Sequence, residues 1–428
     1  MRGKPASVLT SVRVKYMAGM VVDATGSGMY LPLSLLYFHH VTGLPLTQVG
    51  AIVTTAAVIG LVSNPVAGVL IDRFSARAVL VGGYVLRASA FCTYPLVDNG
   101  VAVFAVVLPV ALGDTSYPPA IQSFVAEIVQ GTARDKLLAL QRSLRNAGLG
   151  MGGLLAGAAL ALDESGFYVV VFGAAAGYLL SAALLSTIRP TAPARQPGAR
   201  VSRKGGYLLV ARNRPFLGLT LLNIPTAFGY TVLSVALPVY VTRELDAPVS
   251  LVGVLFAVNT VGIAVLQVPV TRILVRYRRT RAVALGAGVF ALSFVMFAVL
   301  GSVSTGAALI AGVFTATGAF TAGELLHGAT ASALVAQAAP EETRGRHLAV
   351  YQLSWAVPIA LAPTVLTALL SLSSLAMWLL LAAATAGSAL GVLRLERVLP
   401  QAAVHPVRPV PSEGEPAVSP TGSTGKVA

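Results

Sequence analysis

Twelve long apolar runs separated by short polar breaks occupy most of the chain, at about 16–40, 46–71, 77–97, 101–130, 137–162, 166–189, 215–243, 248–275, 281–301, 305–338, 344–370 and 372–396. Each meets the roughly 20 residues that a helix needs to cross about 30 Å of hydrocarbon. Helices are the expected form, because lipid satisfies no backbone hydrogen bond. Residues 1–15 form a polar lead. Residues 190–206 are rich in Pro, Gly and Arg and read as a linker. The stretch 207–214 reads as a short helix on the membrane surface. The predicted organisation is a six-helix half over 1–189, a linker over 190–214, a second six-helix half over 215–399 and a disordered tail over 400–428.

Composition agrees with lipid as the main solvent: the chain is 56% hydrophobic and only 11% charged, with mean hydropathy +0.79. The net charge of +14 would suit a nucleic-acid partner only if the basic residues formed a continuous face. They sit instead in short breaks between apolar runs, so no nucleic acid is expected. If the first residues are cytoplasmic, 26 of the 30 Lys and Arg fall in inner segments and only Arg243 in an outer loop. Arg87, Arg142 and Arg145 fall within helices. By the positive-inside rule the protein is a multi-pass cell-membrane protein with both termini cytoplasmic. The first apolar run is too long for a signal-peptide core and is expected to be retained. Cys92, inside an apolar run, reads as inert packing.

The chain also repeats itself. Shifted by 204 positions, 65–79 lies over 269–283, with Pro, Val, Leu, Arg, Ala and Val coinciding. The first copy holds Gly68, Leu70, Asp72, Arg73 and Arg77; the second is basic, with Arg276 opposite Asp72 and Arg278, Arg279 and Arg281 after it. Two six-helix halves with an acid–arginine stretch after helix 2 resemble the major facilitator superfamily, and most of all its twelve-helix drug:proton antiporter branch. The family's signature between helices 2 and 3, G-x-L-x-D-R-x-G-x-R/K, is met at Gly68, Leu70, Asp72, Arg73 and Arg77, with Ser75 in place of the second glycine. Helix 1 carries Asp23, Gly26, Gly28 and Pro32 in a spacing common in the family. Helix 5 carries Gly148, Gly152, Gly153, Ala156 and Gly157, near the antiporter signature but without its proline. The arginine of the helix 4 signature is replaced by Ala105.

The resemblance implies an all-α integral membrane fold of two pseudo-symmetric halves and transport by alternating access. In that setting the stretch from Gly68 to Arg77 is expected to act as a gate, its aspartate accepting from a helix N-terminus or an arginine of the other half. The helix 5 glycines admit close helix packing and are expected also to tighten the seam between halves. Charges at membrane depth cost about 2.5–3.5 kcal/mol each on insertion scales, so they should pair or line a cavity. These are Asp23, Arg87, Asp114, Arg142, Arg145 and Glu324. Counting 1.5 Å per residue puts Glu127 level with Arg142 as a pair, and Asp23 level with Arg145, with Arg87 somewhat deeper. Gly113-Asp114 and Gly323-Glu324 are related by a shift of 210, which suggests one acid from each half facing a common midplane cavity. His327 shares the face of Glu324. Asn223, Asn259, Gln267, Tyr351, Gln352 and Trp355 are further candidates, and Pro32, Pro119, Pro225, Pro238 and Pro358 suggest kinks usable in rocking, although membrane helices tolerate proline generally.

The leading expectation is proton-coupled efflux of a small amphipathic compound by a monomer. The proton gradient supplies the energy, since no phosphate-binding G-x-x-x-x-G-K-S/T loop is present, and no metal or organic cofactor is expected. The alternatives are an importer or facilitator of a small nutrient or organic anion, with Arg87 and Arg145 as anion-binding groups, and a membrane sensor. Five histidines and one cysteine compose no metal or nucleophile constellation, so an enzyme is not expected.

Overall fold

The computed structural model describes residues 6–128, 132–161, 165–188, 208–302, 306–340 and 343–405; within these, the side chains of 6–11, 63–65, 72, 126, 132–136, 138–139, 142, 329 and 345 are not described. Among the described residues, each predicted apolar run is largely helical. The N-terminal half comprises α1 (Ala6–Tyr30), α2 (Ser34–Thr42), α3 (Leu46–Phe74), α4 (Ala76–Thr93), α5 (Gly100–Ile128), α6 (Thr132–Leu160) and α7 (Gly166–Ser186). A five-residue helix, α8 (Leu208–Arg212), lies where the surface helix was expected. The C-terminal half comprises α9 (Arg214–Thr231), α10 (Ala236–Arg243), α11 (Val249–Leu274), α12 (Arg279–Leu300), α13 (Ala307–Ala338), α14 (Arg344–Leu372), α15 (Ser374–Leu395) and α16 (Gln401–Val404).

The first helix of each half is broken, beside Pro32 and Pro238, two of the prolines expected to kink helices. α1 gives way to α2 at Leu31-Pro32-Leu33, where Leu33 donates to Tyr30 O in a turn at 2.9 Å. α9 and α10 meet at a 43° bend. Pro32 and Pro238 each lack the N–H a continuous helix would need there. Pro119, Pro225 and Pro358 are by contrast accommodated inside helices.

Among the described residues, eight helices are long and apolar enough to cross a membrane, or nine with the bent pair counted as one span. α6 carries Arg142 and Arg145 within its run. Leu179, Leu180, Leu292, Leu379 and Leu380 lie on the outer surface with large exposure, as lipid-facing side chains do.

The halves meet along two helix pairs, α3 with α14 and α6 with α11. Gly50 lies against Pro363, and Thr364 donates from its N–H to Thr54 Oγ1 at 3.1 Å and from its hydroxyl to Gly50 O at 3.2 Å. Arg243 and His39 form a hydrogen bond across the halves at the same end. That end is the one away from the basic breaks. At the basic end, Arg278 pairs with Glu396 at 2.6 Å, and Arg279 donates to the carbonyls of Ala402 and Ala403 at 2.9 and 3.0 Å.

Two expectations are corrected. The tail does not begin at 400: Ala403 and Val404 of α16 are buried, because Arg279 holds the carbonyls at that turn. Residues 406–428 lie outside the described residues, as do 190–207 of the linker. Cys92 is exposed on α4, not packed inside.

Ser75 explains its own place in the signature. Its φ of 106° is a backbone conformation that glycine adopts freely and L side chains rarely do. Its hydroxyl accepts from the Ala78 N–H at 3.2 Å and so caps α4. Strain there costs about 1–3 kcal/mol, whereas exchanging a serine cap for glycine loses only about a few tenths. Ser75→Gly should therefore raise the thermal unfolding midpoint of the purified protein; a lowered midpoint would show that the cap outweighs the strain.

Candidate functional site

Four charged side chains converge in the N-terminal half from α1, α4, α5 and α6. Arg87 Nη1 donates to Asp114 Oδ1 at 2.8 Å, and its Nη2 lies 3.8 Å from Asp23 Oδ1. Arg145 Nη1 lies 3.6 Å from Asp23 Oδ2. The sequence placed Asp23 with one arginine; the structure gives it both. Asp23 and Arg87 are buried, at 1% and 5% side-chain exposure.

Local sequence makes this possible. A Cβ on Gly113 would stand 2.8 Å from Arg87 Cγ, so the glycine before Asp114 admits the arginine that Asp114 pairs with. Three tyrosine rings enclose the guanidinium of Arg87: Tyr178 at 4.5 Å, Tyr84 at 4.9 Å and Tyr117 at 5.9 Å from ring centroid to Cζ. Tyr117 also lies 5.5 Å from Arg145. Aromatic faces attract a cation most when water is excluded. These tyrosines were not anticipated. Their signal was present in the spacings Tyr84-x-x-Arg87 and Asp114-x-x-Tyr117, which place each tyrosine on the face of its charged neighbour.

The second cluster lies in the C-terminal half. Glu324 Oε2 accepts from Asn259 Nδ2 at 2.9 Å, and the same amide donates to Thr321 Oγ1 at 3.1 Å. Tyr230 donates to the Glu324 carbonyl at 3.0 Å and lies 3.2 Å from His327 Nδ1. Trp355 packs edge-on against Tyr230 at 4.9 Å. His327 is buried at 2% exposure. It also lines a cavity of about 10 Å³, the room of about one water, beside Asn223 and Tyr351. Asn223 donates to Ser354 Oγ at 2.9 Å.

Asp114 and Glu324 thus stand in different clusters. The repeat equates their depth, but Asp114 is matched by an arginine, and among the described residues Glu324 makes no ion pair. Glu127 lies by the backbone amide of Ala76 and near Arg77; its expected partner Arg142 is outside the described side chains.

Along the signature stretch, Arg77 Nη1 donates to Ile188 O at 2.8 Å, tying α4 to the chain just after α7. Arg73 is exposed over the Phe74 ring at 5.5 Å. Leu70 is exposed, and nothing lies within 4 Å of a Cβ on Gly68. The Asp72 side chain is outside those described. The helix 5 glycines divide by face. A Cβ on Gly148 would meet Ala24 Cβ at 2.7 Å, and one on Gly152 would meet Thr25 O at 2.1 Å, so this pair fits α6 to α1. A Cβ on Gly153 would lie 3.0 Å from Gly253 O, and one on Gly157 2.9 Å from Ser250 O. That second pair lies on the seam with α11.

A family model described as Major Facilitator Superfamily matches residues 16–363 and, again, 219–423. A Na(+), Li(+), K(+)/H(+) antiporter of Planococcus maritimus is 23% identical over 82% of this chain and 88% of its own length. The multidrug resistance protein MdtH of Proteus mirabilis is 27% identical over 54% of this chain and 56% of its own. Among solved structures, the nucleoside transporter NupG superposes with a TM-score of 0.72 at 12% identity, covering 90% of this chain and 99% of that one. The inward-open xylose transporter XylE from E. coli gives 0.67 at 15%, covering 92% and 100%.

Removing a partner from a buried ion pair costs about 3–5 kcal/mol, because the other charge stays behind. Arg87→Met should destabilise the protein by about that much, since Asp114 loses its paired cation and buried Asp23 loses one of its two. Arg145→Met should be clearly milder, because that side chain is 41% exposed. Unfolding in mixed micelles measures both; equal losses would contradict the ranking.

Proposed function

The chain belongs to the Major Facilitator Superfamily and is a multi-pass membrane transporter, and we propose that it is a secondary active transporter that exports a small amphipathic compound in exchange for protons. In this reading twelve helices cross the cell membrane, both termini are cytoplasmic, the monomer is the working unit, and the proton gradient drives transport. The antiporter and multidrug names of its relatives support the exchange and its direction.

One observation carries the proton step. Glu324 is an acid at membrane depth whose side-chain partner is the neutral amide of Asn259, while Asp23 and Asp114 are matched by arginines. A carboxylate without a counter-charge is costly in low dielectric, and a proton removes the cost. Protonation therefore favours whichever arrangement of the halves encloses Glu324 most tightly, which links proton binding to conformation. Tyr230 and His327 fix the backbone of α13 at that point. An importer of organic anions is less well supported, because Arg87 is held between two acids and enclosed by three rings.

The closed contacts lie at the end away from the basic breaks, which suits an inward-facing arrangement whose other end opens and shuts. The signature stretch is the gate of that end, with Asp72 its closing group. The glycines Gly153 and Gly157 form the seam on which the halves rock.

Inverted vesicles loaded with a pH dye test this reading against a panel of lipophilic cations, neutral drugs and anions. Wild type should release protons on addition of a transported compound, and Glu324→Gln should not. Asp72→Asn should insert normally yet fail to transport. Release that survives in Glu324→Gln would remove the proton role from this acid, and unchanged kinetics in Asp72→Asn would remove the gate.

A further inference from the structure

The charges of the N-terminal half form an open chain of alternating sign, Asp114–Arg87–Asp23–Arg145. Burial is uneven along it. The inner members, Arg87 and Asp23, are 5% and 1% exposed, whereas the ends, Asp114 and Arg145, are 56% and 41% exposed. Charged groups so open at membrane depth face water, not hydrocarbon. The neighbours of Asp114 fix the direction. Leu112, Gly113, Thr115 and Ser116 line an apolar groove with α3 and α4. With 3.6 residues per turn, Asp114 points away from that groove.

We propose that this half binds a zwitterion: a small molecule with an ammonium group on Asp114 and a carboxylate or other oxyanion on Arg145. Arg87 engages Oδ1 of Asp114, which leaves Oδ2 to accept from a ligand. Arg145 stands 3.6 Å from Asp23, farther than a hydrogen bond, so its planar fork of donors remains available to an oxyanion. The inner pair fixes both ends in place before the ligand arrives. Two acids and two arginines sum to no net charge, so the site attracts neither sign as a whole. A simple cation on Asp114 meets two guanidinium groups nearby, and a simple anion on Arg145 meets two carboxylates. A molecule bearing both charges satisfies both ends at once.

This inference rests on the transporter reading above but not on its proton step, and an equilibrium measurement keeps the two apart. Binding to the purified full chain in detergent is measured by calorimetry for matched triplets: phenylalanine, phenethylamine and 3-phenylpropionate; and a piperazinyl quinolone carboxylic acid, its decarboxylated analogue and its N-acetylated analogue. In at least one triplet the zwitterion should bind tenfold or more tightly than either singly charged relative. Asp114→Asn should bring the anion level with the zwitterion, and Arg145→Gln should bring the cation level with it. A singly charged relative that binds wild type as tightly as its zwitterion in both triplets would overturn the proposal, as would equal losses for all three ligands in both variants, or no binding by any member. Should a variant fail to fold, the wild-type ranking decides alone. Proton release in vesicles that fails while this ranking holds would count against the coupling reading only.

Discussion

A charge inside the membrane must be matched, and the N-terminal half is arranged around that requirement. Asp23 alone would be prohibitive at 1% exposure; with Arg87 and Arg145 on either side it becomes a tie between α1, α4 and α6, and Arg87 extends the tie to α5 through Asp114. The tyrosines on α4, α5 and α7 complete the shell. Four helices are fixed relative to one another by one network, which lets the half move as a body. The C-terminal half lacks such a network among the described residues. Its acid, Glu324, is held by an amide, and its neighbours Tyr230, His327 and Trp355 are uncharged or weakly basic aromatic groups. In the proposed coupling, this asymmetry leaves the charge of one half fixed and makes that of the other changeable.

Close backbone approach is the second requirement, and glycine meets it on two faces of one helix. Gly148 and Gly152 fit α6 against α1 within its own half; Gly153 and Gly157, one position round, fit it against α11 of the other. Gly253 returns the contact, since a Cβ there would stand 2.3 Å from Gly153 O. Contacts across a glycine seam are backbone and van der Waals in kind. Such a surface can part and re-form without breaking ion pairs, which suits a joint between halves better than the charged network would.

Much of the fold was legible because membrane helices announce themselves by length and apolarity, and the described residues of each predicted run are largely helical. Depth was legible too: 1.5 Å per residue put Asp23 level with Arg145, and they pair. Rotation about the helix axis was not. The repeat set Asp114 and Glu324 at equal depth, yet Gly113 opens a path for Arg87 to one, and among the described residues no cation pairs with the other. The breaks beside Pro32 and Pro238 fall at two of the five prolines expected to kink helices, but proline alone did not separate them from Pro119 and Pro225, which the same bundle accommodates inside helices. Ser75 stood out as a departure from a glycine pattern, but only its φ of 106° gives the reason for the pattern. The tail boundary was missed because α16 is held through carbonyls, which composition does not encode.

The proposed coupling depends most on which acid takes the proton, and infrared difference spectroscopy reads that directly. Lowering the pH over purified wild type in lipid should produce the carbonyl band of a newly protonated buried carboxyl group. The band should vanish in Glu324→Gln and persist in Asp114→Asn. A band that survives in Glu324→Gln and disappears in Asp114→Asn would contradict the division of charge between the halves.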